Sequence, residues 1–122
     1  MNKMKKISLV IFLVILIGCS TKEDNLTPFL SDSEGTFMVH LFNDHRTNLE
    51  NELLEYMNSS DKLLRVMKGI QLYDVGTEDN QLRAEQLEVN NFPTMIITNN
   101  KKIIVRTQDI QEVKDFFDKV IQ

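Results

Sequence analysis

The stretch that decides the fold is Leu82–Ile103, LRAEQLEVNNFPTMIITNNKKI. Its first third is polar and reads as the end of a helix opened by a capping Thr77 and running to about Leu87, with Leu82 and Leu87 expected inward. TMIIT, residues 94–98, reads as a third strand. Asn99-Asn100 then makes a tight turn into KIIVR, residues 102–106, so the two runs form a hairpin. Between helix and hairpin stands Phe92-Pro93-Thr94.

Upstream, TFMVHLF, residues 36–42, has no clean alternation and predicts another strand buried on both faces. Thr47 and Glu50 have capping-box spacing. Leu49, Leu53 and Met57 follow at helical spacing and predict a helix over about 48–58. Ser59-Ser60-Asp61 either interrupts that helix or starts a further turn through Leu63, Leu64 and Val66. GIQLYDV, residues 69–75, predicts the second strand. Downstream, Asp109 and Glu112 repeat the capping-box spacing, and Val113, Phe116, Phe117, Val120 and Ile121 give a last helix its apolar face. Met38, Met57, Met67 and Met95 fall at positions that read as packing, not as a methionine-rich interface. The order is β-α-β-α-β-β-α. A βαβ unit places its strands parallel, and the closing hairpin is antiparallel, so the expected α/β fold has a mixed central sheet covered by helices on both faces.

The amino terminus is of another kind. MNKMKK carries Lys3, Lys5 and Lys6, and ISLVIFLVILIG supplies twelve apolar or small residues before Cys19. A positive n-region followed by a short h-region is the plan of a signal peptide. The run falls short of the about 20 residues that a spanning helix needs. Leu16-Ile17-Gly18-Cys19 resembles the lipobox of bacterial lipoproteins. That resemblance implies cleavage between Gly18 and Cys19, diacylglycerol on the Cys19 thiol, and anchorage at the extracytoplasmic face of the cell membrane. The alternative is an ordinary secretory signal that happens to contain a cysteine. STKEDNLTPFLSDS, residues 20–33, is polar and aperiodic, so residues 19–33 read as a lipidated cysteine and flexible tether. Phe29 and Leu30 could instead pack as a short leading strand. Residues 34–122 are left for one domain with a single core.

The whole chain has 14 basic and 18 acidic side chains. Loss of the three signal lysines leaves a net charge of −7, which disfavours nucleic acid as a partner. Cys19 is the only cysteine. With its thiol acylated, the chain has no thiolate for disulfide exchange.

The element order resembles the thioredoxin fold, a three-layer α/β/α sandwich. The likeness is carried by Val89-Asn90-Asn91-Phe92-Pro93-Thr94, which fills the family's V-x-x-x-P-T passage between a helix and an apolar strand. The resemblance implies a cis peptide bond before Pro93. It also implies that backbone groups at Phe92 could pair with an extended bound peptide, a form of strand addition; the alternative is a purely structural proline. The same alignment puts His45 on the family's tryptophan. Arg46 and Leu49 fall on its two cysteines, with Thr47 and Asn48 between them. His40 falls on an aspartate that active members bury. Every redox component is replaced, so the family's oxidoreductase activity does not carry over. VRTQDIQE, residues 105–112, also departs from the family in lacking a glycine before the last helix. In outline the chain resembles small thioredoxin-like lipoproteins of Gram-positive bacteria.

Two chemistries compete at residues 43–49. Asp44 and His45 could act as an acid/base pair, since histidine titrates near neutrality. No activated nucleophile stands beside them, and the bland reading is a solvated loop at a helix start. Two histidines, one of them in a strand, and no spaced Cys/His/Asp set point away from a metal. His40 reads as a core histidine whose burial disfavours its charged form. No cofactor is expected. The expected function is a non-enzymatic one: a module that holds an extracytoplasmic protein or peptide, or docks at the cell wall, with an enzyme built on Asp44 and His45 as the alternative.

Overall fold

The computed structural model describes residues 26–122. The signal peptide, Cys19 and the inner part of the expected tether lie outside the described residues. Four strands form one sheet in the order β2-β1-β3-β4, where β1 is Phe37–Asn43, β2 Met67–Asp74, β3 Thr94–Thr98 and β4 Ile103–Thr107. β1 runs parallel to β2 and antiparallel to β3, and β3 runs antiparallel to β4. The expected mixed sheet is therefore present.

Apolar residues on both parities of β1 make it the centre of the molecule. Val39 and Leu41 join Met95 and Ile97 of β3 on one face. That face is covered by Leu53 of α1 (Leu49–Met57), Leu63 of α2 (Asp61–Val66), and Val113 and Phe117 of α4 (Ile110–Val120). On the other face Phe42 and Ile96 meet Ala84 of α3 (Glu78–Gln86), Leu87 and Val89. Three layers result, with two cores separated by the sheet.

Some local details differ from the sequence reading. Of the two readings left open at Ser59–Asp61, the structure has the second, a separate helix after α1. Asn58 and Ser59 close α1, with the Asn58 N–H donating to Leu54 O at 3.0 Å. Ser60 then caps α2, its hydroxyl accepting from Lys62 N at 3.1 Å and Leu63 N at 3.4 Å. The capping box at Thr47 does not form. Asn48 is the N-cap and already has helical angles, φ −86° and ψ 0°, and its side chain makes no capping bond to the helix backbone. Extended angles at Thr77 and Asp109 do allow caps: Thr77 Oγ1 accepts from Asn80 N, and Asp109 Oδ1 from Gln111 N. Leu82 is 56% exposed instead of inward. Ala84 and Leu87, three apart, set the buried face of α3, and Leu82 lies off it. Val120, in the last turn of α4, is 37% exposed. Met67 and Met95 are buried, whereas Met38 and Met57 are half-buried.

The expected tether boundary at residue 33 also moves. Thr27–Phe29 form a 3-10 turn with Phe29 only 3% exposed, packed on the α3 face of the sheet. The Ser31 N–H donates to Asn99 O at 3.0 Å, joining this strap to the β3-β4 turn. That turn spans residues 99–102, with Asn99 Oδ1 accepting from Lys101 N and Lys102 N at 2.7 and 2.8 Å.

Candidate functional site

Two segments meet at one end of the sheet because of register. Phe42 of β1 pairs with Thr94 of β3, so the loop leaving β1 and the Phe92–Pro93 turn entering β3 lie side by side. The Phe92–Pro93 peptide bond is cis.

The turn is built from helix α3 outward. Glu88 has φ 57°, the left-handed conformation usually given to glycine at a helix end. Its N–H donates to Glu85 O at 3.0 Å, and the Val89 N–H donates to Ala84 O at 2.8 Å. This paired closure turns the chain, and Val89 drops into the core at 5% exposure. Arg106 of β4 braces the same helix end, donating from Nη2 to Leu87 O at 2.6 Å and from Nη1 to Glu88 O at 3.3 Å. A cation suits the negative end of a helix. Thr94 Oγ1 donates to Asn91 O at 2.6 Å and closes the loop around Phe92 and Pro93. Asn90 and Asn91 are exposed, and Phe92 and Pro93 are half-buried. Sequence reasoning missed Glu88 and Arg106, because neither is a glycine or a helix residue that would signal an end.

Across from this turn, Asp44, His45 and Arg46 are exposed. His45 Nδ1 lies 2.5 Å from Asp44 Oδ1, with the side chains 66% and 52% exposed. Among the described residues His45 has no other hydrogen-bond partner. Thr47 Oγ1 accepts from Leu49 N at 3.4 Å. Leu49 opens α1 and packs against the larger core. Arg46, Thr47, Asn48 and Leu49 thus form a strand-to-helix junction next to the Phe92–Pro93 turn.

Shallow hollows flank this junction. One of about 200 Å³ is lined by Asn43, Asp44, Arg46, Glu50 and Tyr73. The Asn43 amide oxygen is buried with no hydrogen-bond partner among the described residues. The other, of about 290 Å³, lies beyond the turn and is lined by Glu88, Asn91, Thr94 and Arg106. Among the described residues no group of three or more His, Cys, Asp or Glu side chains is placed to hold a metal ion.

Beneath the junction, His40 is 1% exposed. Its Nε2 lies 2.7 Å from Phe29 O, and Thr98 Oγ1 donates to the same carbonyl at 2.6 Å. Its Nδ1 lies 2.9 Å from Tyr73 Oη. Nε2–H therefore donates to Phe29, and Nδ1 accepts the Tyr73 hydroxyl. Burial lowers the His40 pKa below 6.5, outweighing the Phe29 bond, which acts the other way. Burial raises that of Tyr73. His40 is a clamp between the strap and the sheet, and no part of it reaches the junction surface.

The sheet order, the two covering layers and the proline turn define a thioredoxin-like α/β fold. Solved structures agree. The chain is similar to thioredoxin O2 from Arabidopsis thaliana in its oxidized state, at 12% identity and TM-score 0.61, over 84% of this chain and 89% of that one. It is similar to thioredoxin f2 from Chlamydomonas reinhardtii, at 16% identity and TM-score 0.58, over 80% and 90%. A designed protein is also similar, at 15% identity and TM-score 0.55, over 79% and 94%. No protein-family model and no curated protein matches the sequence.

Proposed function

We propose that the chain is a membrane-anchored extracytoplasmic lipoprotein whose thioredoxin-like domain binds a protein or peptide and performs no disulfide exchange. One observation carries this: the turn at Asn91–Thr94 stands beside a strand-to-helix junction that has no cysteine. Disulfide exchange needs a thiolate, and the only cysteine is Cys19. Pairing an extended chain needs only backbone groups and a rim of side chains, and exposed Asn90 and Asn91 beside half-buried Phe92 and Pro93 suit such a rim. The exposed Asp44–His45 pair has no nucleophile bonded to it among the described residues, where the His45 ring meets Asp44 alone.

The test is binding of extended peptides selected by display on the domain. Asn91→Trp puts bulk on the exposed rim while leaving the Asn91 carbonyl that Thr94 uses. It should weaken selected peptides by about tenfold or more, about 1.4 kcal/mol, with the thermal melt unchanged. Equal binding by wild type and variant overturns the proposal. The anchor is tested apart from this. Growth with a labelled fatty acid should label the wild-type chain and leave Cys19→Ser unlabelled and released from membranes, since acyl chains supply the hold. Label that persists in Cys19→Ser defeats the anchor.

A further inference from the structure

Between Cys19 and the strap the chain is short. Leu26 stands seven residues beyond Cys19. However they run, seven residues span at most about 25 Å. The strap cannot lengthen that reach, because it is fastened to the sheet. Leu26 packs against the cluster of Phe29, Phe42, Ala84 and Ile96 on the α3 side. The Phe29 carbonyl is held by His40 and Thr98, and the Ser31 N–H donates to Asn99 O. The chain therefore leaves the domain on the face that α3 covers. A domain of about 100 residues has a radius of gyration of about 13 Å and measures roughly 30 Å across. A tether of about 25 Å cannot carry Cys19 around such a body. The α1 and α4 side lies beyond its reach.

We infer that the α3 face lies against the lipid bilayer, with Leu82 and Pro28 at the headgroup layer and the α1–α4 face turned outward. This placement rests on the acyl anchor proposed at Cys19 and makes no use of peptide binding. Leu82 is 56% exposed, the most of any large apolar side chain among the described residues. It shares a hollow of about 370 Å³ with exposed Pro28 and Gln86. Apolar side chains held at a membrane surface bury themselves at the boundary of headgroups and acyl chains. The bilayer thus gives Leu82 the burial that the two cores deny it. Charge does not hold the face. Glu78, Asp79 and Glu85 outnumber Arg83 on α3, and anionic headgroups repel carboxylates. The short tether sets which face is lower, and Leu82 and Pro28 are the part of that face that suits lipid.

The experiment uses the full chain in membranes of the cells that express it, with a fluorophore on one added cysteine. Acylated Cys19 is the only other cysteine, so the label marks the added site alone. Lipid carrying a nitroxide on its headgroup is then added as a quencher. Gln86 is exposed at the end of α3, and Glu112 is exposed on α4. The label on Gln86→Cys should be quenched, and the label on Glu112→Cys should keep its intensity. A flexible Gly/Ser insertion of about 20 residues between Asn25 and Leu26 frees the domain to turn, and the difference should then be lost. Circular dichroism of the detergent-extracted chain confirms that each variant is folded. Equal quenching at the two sites, or stronger quenching at Glu112→Cys, overturns the orientation. A difference that survives the insertion unchanged overturns the tether as its cause. Failure of the anchor reads differently, as absence of the labelled chain from the membranes, and removes the placement with it.

Discussion

Phe117→Ala should be the most damaging single truncation in the domain, costing about 3–5 kcal/mol. Phe117 is fully buried on the α4 face of the sheet. Its ring meets Phe37 of β1 edge-on at 5.8 Å and Phe116 at 5.1 Å, and Phe37 meets Phe116 at 5.2 Å. Edge-to-face pairs add about 0.5–1.5 kcal/mol beyond the area that they bury. Truncation therefore removes the apolar surface, two ring contacts and the filling of a cavity at once. Small domains have about 5–15 kcal/mol in all. For a domain of this size each kcal/mol moves Tm by about 4–8 °C, so the melt followed by circular dichroism should fall by well over about 10 °C. Phe116→Ala is the control. Phe116 is half-buried at the rim of the same trio and should cost clearly less. Equal losses from the two would mean that α4 does not seat Phe117 as the structure has it.

Phe117 was legible from the sequence because its signal is local. Val113 and Phe117 repeat at helical spacing behind a capping Asp109, and the structure buries both. The sheet was legible for the same reason. TFMVHLF is apolar on both parities, and β1 is buried on both faces; TMIIT reads as a strand, and β3 forms there. What the sequence did not show depends on partners far along the chain. The residues around Phe29 are polar, so 19–33 read as tether. They are held by Thr98, 69 positions away, and by His40. No local period reports such contacts. The break between α1 and α2 is an intermediate case. Ser59-Ser60-Asp61 signalled a possible break, but the Asn58 turn that completes it follows from the backbone. The proline turn shows the same division. Val89 to Thr94 could be read directly, whereas Glu88 in a conformation favoured by glycine could not. That conformation is supported by the Arg106 side chain from β4. Residue types at Arg46, Thr47, Asn48 and Leu49 were likewise plain. Their placement beside the turn needed the pairing of Phe42 with Thr94.

His40 should make the domain lose stability in mild acid. It is neutral in the fold, with Nε2–H donated to Phe29 O and Nδ1 accepting from Tyr73 Oη. The groups facing the ring are the Tyr73 phenol, the Thr98 hydroxyl and the Phe29 carbonyl and ring. Among the described residues no carboxylate contacts it. A proton on Nδ1 would leave two donors facing each other unless the Tyr73 hydroxyl turned away, and the charge would be buried. Burial therefore lowers the folded pKa below the 6.5 of an exposed imidazole. The unfolded chain then takes up a proton that the folded one resists. Stability is full above about pH 6.5 and falls as pH drops from there toward the folded pKa. His40→Leu removes the titration and should flatten this slope. It also leaves the Tyr73 hydroxyl without its acceptor and Phe29 O with Thr98 alone, so at neutral pH it should cost about 1–3 kcal/mol. The loss should be local first. Proteolysis within residues 26–31 should rise in His40→Leu at neutral pH, and in the wild type at about pH 5. Thermal melts across about pH 5–8 decide the matter. Parallel slopes for wild type and His40→Leu would show that the acid sensitivity has another source, and unchanged cleavage of the strap would show that His40 does not hold it.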